Sequence, residues 1–211
     1  MKFEELLHLV QNDVVFETGL LLAGDINPND VRKQLSRWVK AGRLVQLRRG
    51  LYLLARPYRT FDPHPFRVAN LIVPGSYISC ESALSFYGII PEYTFQNISI
   101  TLGRSCAYSS SVGQFQYRHI KPALYFAYAH RKVNEHESVF IAEPEKALLD
   151  LIYLFPRADS YAFLKELRLN FDLIDMDKIY NYSRKAGIAK LTRAANALTL
   201  LSSQQQEYHQ L

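Results

Sequence analysis

No apolar run in this sequence approaches the roughly 18 residues needed to cross a bilayer, which excludes a membrane-spanning helix as an expectation. The start, MKFEELLHLVQ, has neither the long apolar stretch nor the small-residue cleavage site of a secretory signal, and it carries Glu4 and Glu5. The expectation is a cytoplasmic protein without membrane contact. Cysteine is scarce: Cys80 and Cys106 are the two present, with no CxxC spacing, so a disulfide framework or a zinc finger is not indicated. The histidines are scattered and make no HExxH pair, and neither a metal nor another cofactor is expected. Phosphate-binding loops are missing too. VPGSY and TLGRS each hold one glycine and no following Lys-Ser/Thr pair, and SCESALSFYG lacks the glycine-flanked elbow of a serine hydrolase. No catalytic residues are assigned, and the chain is read as a non-enzyme.

Acidic residues are also missing locally. Between Pro28 and Arg59 nine basic residues (Arg32, Lys33, Arg37, Lys40, Arg43, Arg48, Arg49, Arg56, Arg59) stand against Asp30 alone. This segment carries the whole excess of a chain whose net charge is +5, and an excess concentrated in this way points to a polyanionic partner.

With 211 residues and 48% hydrophobic content, there is enough material for one domain or two small ones with a real core. Phe3, Leu6, Leu7 and Val10 fall at helical spacing, and VFETGLLLAG reads as a second short helix that Gly24 ends. The third helix has the strongest signals: Asn27 as cap, Pro28 in the first turn and Gly42 beyond the end. Its packing side takes Val31, Leu35, Trp38 and Val39, and the opposite side takes Asn29, Lys33, Ser36, Arg37 and Lys40, with Arg32 nearby. Next, RLVQL and LYLLA read as two strands joined at Arg48-Arg49-Gly50. Three helices and a hairpin make the plan of a winged helix-turn-helix, with the third helix in the major groove and the turn arginines reaching phosphates. Plain solvation of an exposed turn is the competing reading for Arg48 and Arg49.

RPYRTFDPHPF holds three prolines and reads as a crossing segment, so domains are expected at 1–58 and 59–211. Beyond it RVANLIVPGSYIS gives a helix, a turn and a short extended piece. CESALSFYG gives a helix capped by Ser79 and ended by Gly88. NISITLG, QFQYRHI, LYFAYAH and ESVFIA are strand candidates. EPEKALLDLIYLF is a strong helix, helices follow near 160–171, 175–186 and 188–201, and SSQQQEYHQL is expected to fray. The fold class is α+β: a winged helix-turn-helix followed by a mixed α/β domain with a helical end.

The order LRRGLYLL, then RVANLIVPGSYISCESALSFYGII, then IAEPEKALLDLIYL resembles the AbiEi family, antitoxins of bacterial abortive-infection, type IV toxin–antitoxin systems. The resemblance spans roughly residues 30–155. It implies an autorepressor that binds inverted repeats in the double-stranded promoter DNA of its own operon, and so associates with the nucleoid. It also implies a C-terminal domain that counters a nucleotidyltransferase-like toxin, with or without touching it. Carried over by position, the DNA-facing role falls on the third helix and on Arg48 and Arg49; no antitoxicity residue is carried over.

Three further patterns have plain readings. In EPEKALLDL the acid–X–Lys spacing of metal-dependent nucleases is absent, and Lys146 with Asp150 reads as an i, i+4 pair on a packed helix. Arg184, Lys185, Lys190 and Arg193 form a second basic cluster that is either a solvated face or a further docking surface. The rival from another class is a ligand-responsive regulator whose pocket is lined by Tyr77, Tyr87, Tyr117 or Tyr125.

Overall fold

The structure is a computed structural model that describes residues 1–10, 13–22, 27–92 and 95–209. The front of the chain builds α1 (Phe3–Leu9), β1 (Val15–Glu17), a 3-10 turn (Thr18–Leu21), α2 (Pro28–Lys40), β2 (Leu44–Arg48) and β3 (Leu51–Leu54). The strands form an antiparallel sheet in the order β1-β3-β2. VFETGLLLAG therefore departs from the expected helix. Its first half is a strand, because Val15 to Glu17 pair with Leu53 to Leu51, and only one 3-10 turn follows. The proposed stop at Gly24 lies outside the described residues.

A four-residue strand buried along its whole length needs two covers, and β3 has them. Tyr52 and Leu54 face the front core with Phe3, Leu6, Leu35, Trp38 and Leu44. Leu51 and Leu53 face the other way and join Val14, Val15 and Leu47 in the core of the second part. Alternation along the strand sends neighbours to opposite faces, so this sheet is the partition between two cores. Burying each of these leucines contributes about 2 kcal/mol, and the packing crosses the 58/59 position at which composition placed a boundary. The segment there is a 3-10 turn (Arg56–Tyr58) followed by Asp62, which pairs with both Arg56 and Arg59.

The second part is α+β as well. Its elements are α3 (Pro65–Ile72), β4 (Tyr77–Ile78), α4 (Cys80–Phe86), β5 (Gln96–Thr101), β6 (Cys106–Ser110), β7 (Gly113–His119), β8 (Tyr128–Lys132), β9 (Ser138–Ala142), α5 (Pro144–Leu154), α6 (Tyr161–Glu166), α7 (Met176–Ala186) and α8 (Ala189–His209). Six strands make a mixed sheet in the order β6-β7-β5-β4-β9-β8. Strand β6 pairs antiparallel with β7 and has no counterpart among the expected strands. Strand β4 is so short that Asn70 of α3 takes over part of its ladder: its side-chain oxygen accepts from the Phe140 amide at 2.7 Å and its amide group donates to the Phe140 carbonyl at 3.4 Å. In place of the frayed tail, the α8 backbone stays helical to His209. No helix among the described residues is long and apolar enough to cross a membrane.

Candidate nucleic-acid interface

The positions of α2 follow from its sequence. The Asn27 side chain accepts from the Asn29 amide at 2.9 Å, Pro28 occupies the first turn, and Gly42 leaves the helix with φ +69°, a left-handed conformation that glycine takes without Cβ strain. Val31, Leu35 and Trp38 are buried, and Trp38 meets Phe3 edge to face at 5.3 Å. With that side sealed, Asn29, Arg32, Lys33, Ser36, Arg37 and Lys40 are all exposed. Arg32 donates to Asn29 Oδ1 at 3.1 Å, and Lys33 lies 3.7 Å from Asp30, an exposed pair of little energetic weight. Arg37 and Lys40 have no ion-pair partner among the described residues; standing in the last turn, they also complement the helix dipole.

The hairpin tip departs from expectation at one of its two arginines. Arg49 is exposed. Arg48 folds back: Nε donates to the Ile72 carbonyl at 2.7 Å, Nη1 to the Arg49 carbonyl at 3.0 Å, and Nη2 to Glu17 at 2.8 Å. It fastens the tip to β1 and to the end of α3, so its guanidinium does not project toward solvent with that of Arg49. Gly50 turns the corner at φ +82°, and its carbonyl accepts from the Thr18 amide at 2.8 Å. Arg43 lies over the Phe3 ring at 5.0 Å. Of the nine basic residues, Arg43, Arg48 and Arg59 are thus partly buried and engaged within the fold, Arg56 is exposed but paired with Asp62, and Arg32, Lys33, Arg37, Lys40 and Arg49 carry the exposed charge of α2 and the hairpin tip.

Folding uses much of the second basic cluster. Arg193 pairs with Asp159 at 2.7 Å, and this guanidinium, by hydrogen bond and charge, holds the Asp159 carboxyl below its usual range. Lys190 donates to the carbonyls of Tyr153 and Phe155 at the end of α5. Lys185 sits 4.3 Å above the Phe126 ring and Arg184 5.7 Å above Tyr180; both remain exposed.

The four tyrosine hydroxyls are committed within the fold. Tyr77 donates to Asp150, Tyr87 to the Ala142 carbonyl, Tyr117 to the Ala69 carbonyl and Tyr125 to the Gly75 carbonyl, so all four hydroxyls hold the fold together. Burial is the main reason why the Tyr77 and Tyr117 hydroxyls are pushed far above the ordinary phenol range and stay protonated donors.

What the sequence hid is a buried charged cluster. Lys146 and Asp150, each 2% exposed, form an ion pair inside the second core. Lys146 also donates to the Tyr77 hydroxyl at 3.0 Å, and Asp150 Oδ2 accepts from Tyr77 at 3.0 Å and from Ser79 at 2.8 Å. Ser79 is therefore not the side-chain cap expected for α4; its hydroxyl is committed to Asp150. Burial raises the Asp150 carboxyl, against the opposing pull of Lys146, Ser79 and Tyr77. The residue next to Ser79, Cys80, takes φ +52°, unusual for a side chain with a Cβ, and burial pushes its thiol well up. Leucines on both sides of Asp150 (Leu148, Leu149 and Leu151) were the available sign that this helix has no wet face.

Residues 29–55, the segment from the start of α2 to the end of the hairpin, match the family described as "Transcriptional regulator, AbiEi antitoxin". No curated protein matches the chain. Among solved structures, the chain is similar to the crystal structure of the RV2827C protein from Mycobacterium tuberculosis, at 15% identity and a TM-score of 0.47, over 93% of this chain and 80% of that one.

Proposed function

We propose that this chain is a DNA-binding transcriptional regulator of the antitoxin type. In this reading α1, the β1 region, α2 and the β2–β3 hairpin act as a winged helix-turn-helix. Helix α2 enters the major groove, with Arg32, Lys33, Ser36 and Arg37 toward base edges and phosphates, while Lys40 and Arg49 contact the backbone. Two copies occupy inverted repeats in the promoter of the chain's own operon and repress it by blocking access. The second part has no enzymatic role; it counters a nucleotidyltransferase-like toxin, and Arg184 and Lys185 are the members of the second basic cluster left available for docking. The protein works in the cytoplasm, at the nucleoid when bound.

One observation carries this reading: a capped helix whose apolar side is sealed by Leu35 and Trp38 presents five polar or basic side chains and Asn29 on its open side, and Arg49 is exposed at the tip of the hairpin that follows it. The match over residues 29–55 supports it. The test uses the full chain, because truncation after the hairpin would strip the cover from Leu47, Leu51 and Leu53. In a mobility-shift assay the chain should retard its own upstream segment in preference to unrelated duplex, and coexpression should relieve growth arrest by a neighbouring nucleotidyltransferase-like gene product. Equal affinity for any duplex would reject the operator role, and unrelieved arrest would reject the antitoxin role.

A further inference from the structure

A cleft of about 590 Å³ opens where the front module meets the β8–β9 hairpin, lined by Asp13, Thr60, Phe61, Arg67, His130, His136, Glu137 and Ser138. Its walls are prebuilt. Glu137 is buried, and its Oε2 accepts from the His64 amide at 2.8 Å, at the start of α3, and from Asn134 Nδ2 at 2.9 Å. Asn134 Oδ1 in turn accepts from the amides of His136 and Glu137, which fixes the turn that carries His136. The His130 ring packs against Phe140 at 5.0 Å. Into this frame α3 extends Arg67, which is half-buried and whose guanidinium has no hydrogen-bond or ion-pair partner among the described residues. A half-buried guanidinium whose donors are left open is matched by an oxyanion that accepts from them.

The chemistry of the whole lining narrows the ligand. Asp13 and Glu137 also border the cleft, so a bare anion would meet two carboxylates there; a ligand that joins a phosphate to hydroxyl donors and an aromatic body matches Arg67, Asp13 and Phe61 together. We propose that this cleft binds a free nucleoside monophosphate. Its phosphate sits on Arg67 between the two imidazoles, its base lies against Phe61, and its sugar hydroxyls donate to Asp13. The volume lies within the range of small-ligand sites. Asp13 immediately precedes Val14 and Val15, which are packed in the second core, so an occupant bridges the front module and the body.

The experiment titrates the full chain with AMP, GMP, CMP and UMP, with inorganic phosphate, with adenosine, and with a 5′-phosphorylated tetranucleotide that carries the same terminal chemistry on a strand. At a concentration about 100 times Kd, at least one mononucleotide should raise Tm by roughly 5 °C or more. Arg67→Met should weaken binding at least tenfold, and Phe61→Ala should weaken the nucleotide without changing phosphate. If Arg67→Met does not fold, ring-proton NMR of the wild-type chain decides: the nucleotide should move the His130 and His136 signals and leave His119 unmoved. Unmoved His130 and His136 signals, a response to phosphate alone, or tighter binding of the tetranucleotide would each overturn the proposal.

Discussion

The Arg48 guanidinium donates to the backbone carbonyl of Ile72 at 2.7 Å, tying the tip of the first hairpin to the C-terminal end of α3. Since the same side chain also holds Glu17 and its neighbour's carbonyl, Arg48 belongs to the seam between the two parts, and Arg49 is the arginine left to meet a partner. Arg48→Met is expected to lower stability by about 1–3 kcal/mol through unpaired polar groups. Arg49→Ala should leave stability within roughly 0.5 kcal/mol. Urea unfolding of the two variants checks the contrast.

Lys146 and Asp150 call for a double-mutant cycle. Removing one partner strands the other charge in the core, so Lys146→Met alone should cost about 3–5 kcal/mol. Lys146→Met combined with Asp150→Leu should cost less than the sum of the two single changes, because no charge is then left uncompensated. Additive losses in thermal unfolding would contradict the pairing.

The two thiols should differ in reactivity. Cys80 is fully buried and its thiol is held protonated by burial and by the Asp150 charge, while Cys106 is partly exposed. Treatment of the native chain with a disulfide reagent should consume one thiol quickly and the second only on unfolding. Cys106→Ser should abolish the fast phase.

Acid should destabilise the fold through its paired carboxylates. Asp159 is lowered chiefly by the hydrogen bond from Arg193, Asp62 by that from Arg59 and Glu92 by that from Arg168. A depressed folded-state pKa means that the unfolded chain binds the proton first, so this stability is complete above about pH 5 and is lost as pH falls through the folded values. Arg193→Gln should flatten the stability profile between about pH 2 and 4 and leave its neutral-pH shape unchanged.

Local signals in the sequence reached α2: its cap, its stop and its buried side are all set by residues of the helix itself or directly at its ends. They failed where the deciding partner is distant. Val15 to Glu17 are a strand because Leu51 to Leu53 wait for them, and an apolar run so short has no period of its own to reveal this. The carbonyl that turns Arg48 inward belongs to Ile72, and the acid that neutralises Arg193 is Asp159, so neither basic cluster could be sorted into free and engaged members from composition. For the proposed DNA-facing site, the exposure of the helix face was legible and that of the hairpin tip half so. The buried pair on α5 had the right i, i+4 spacing, but its surroundings are set by β4 and α4.

The salt dependence of operator binding tests the central claim most directly. With five exposed basic residues on α2 and the hairpin tip making phosphate contacts, the full chain's log Kd against log salt should have a slope of about 4–5 in magnitude. Replacing Arg37 and Lys40 together by Gln should reduce it by about 2, while Lys165→Gln on α6 leaves it unchanged. A slope near zero, or one insensitive to the α2 replacements, would contradict the assignment of this face to duplex DNA.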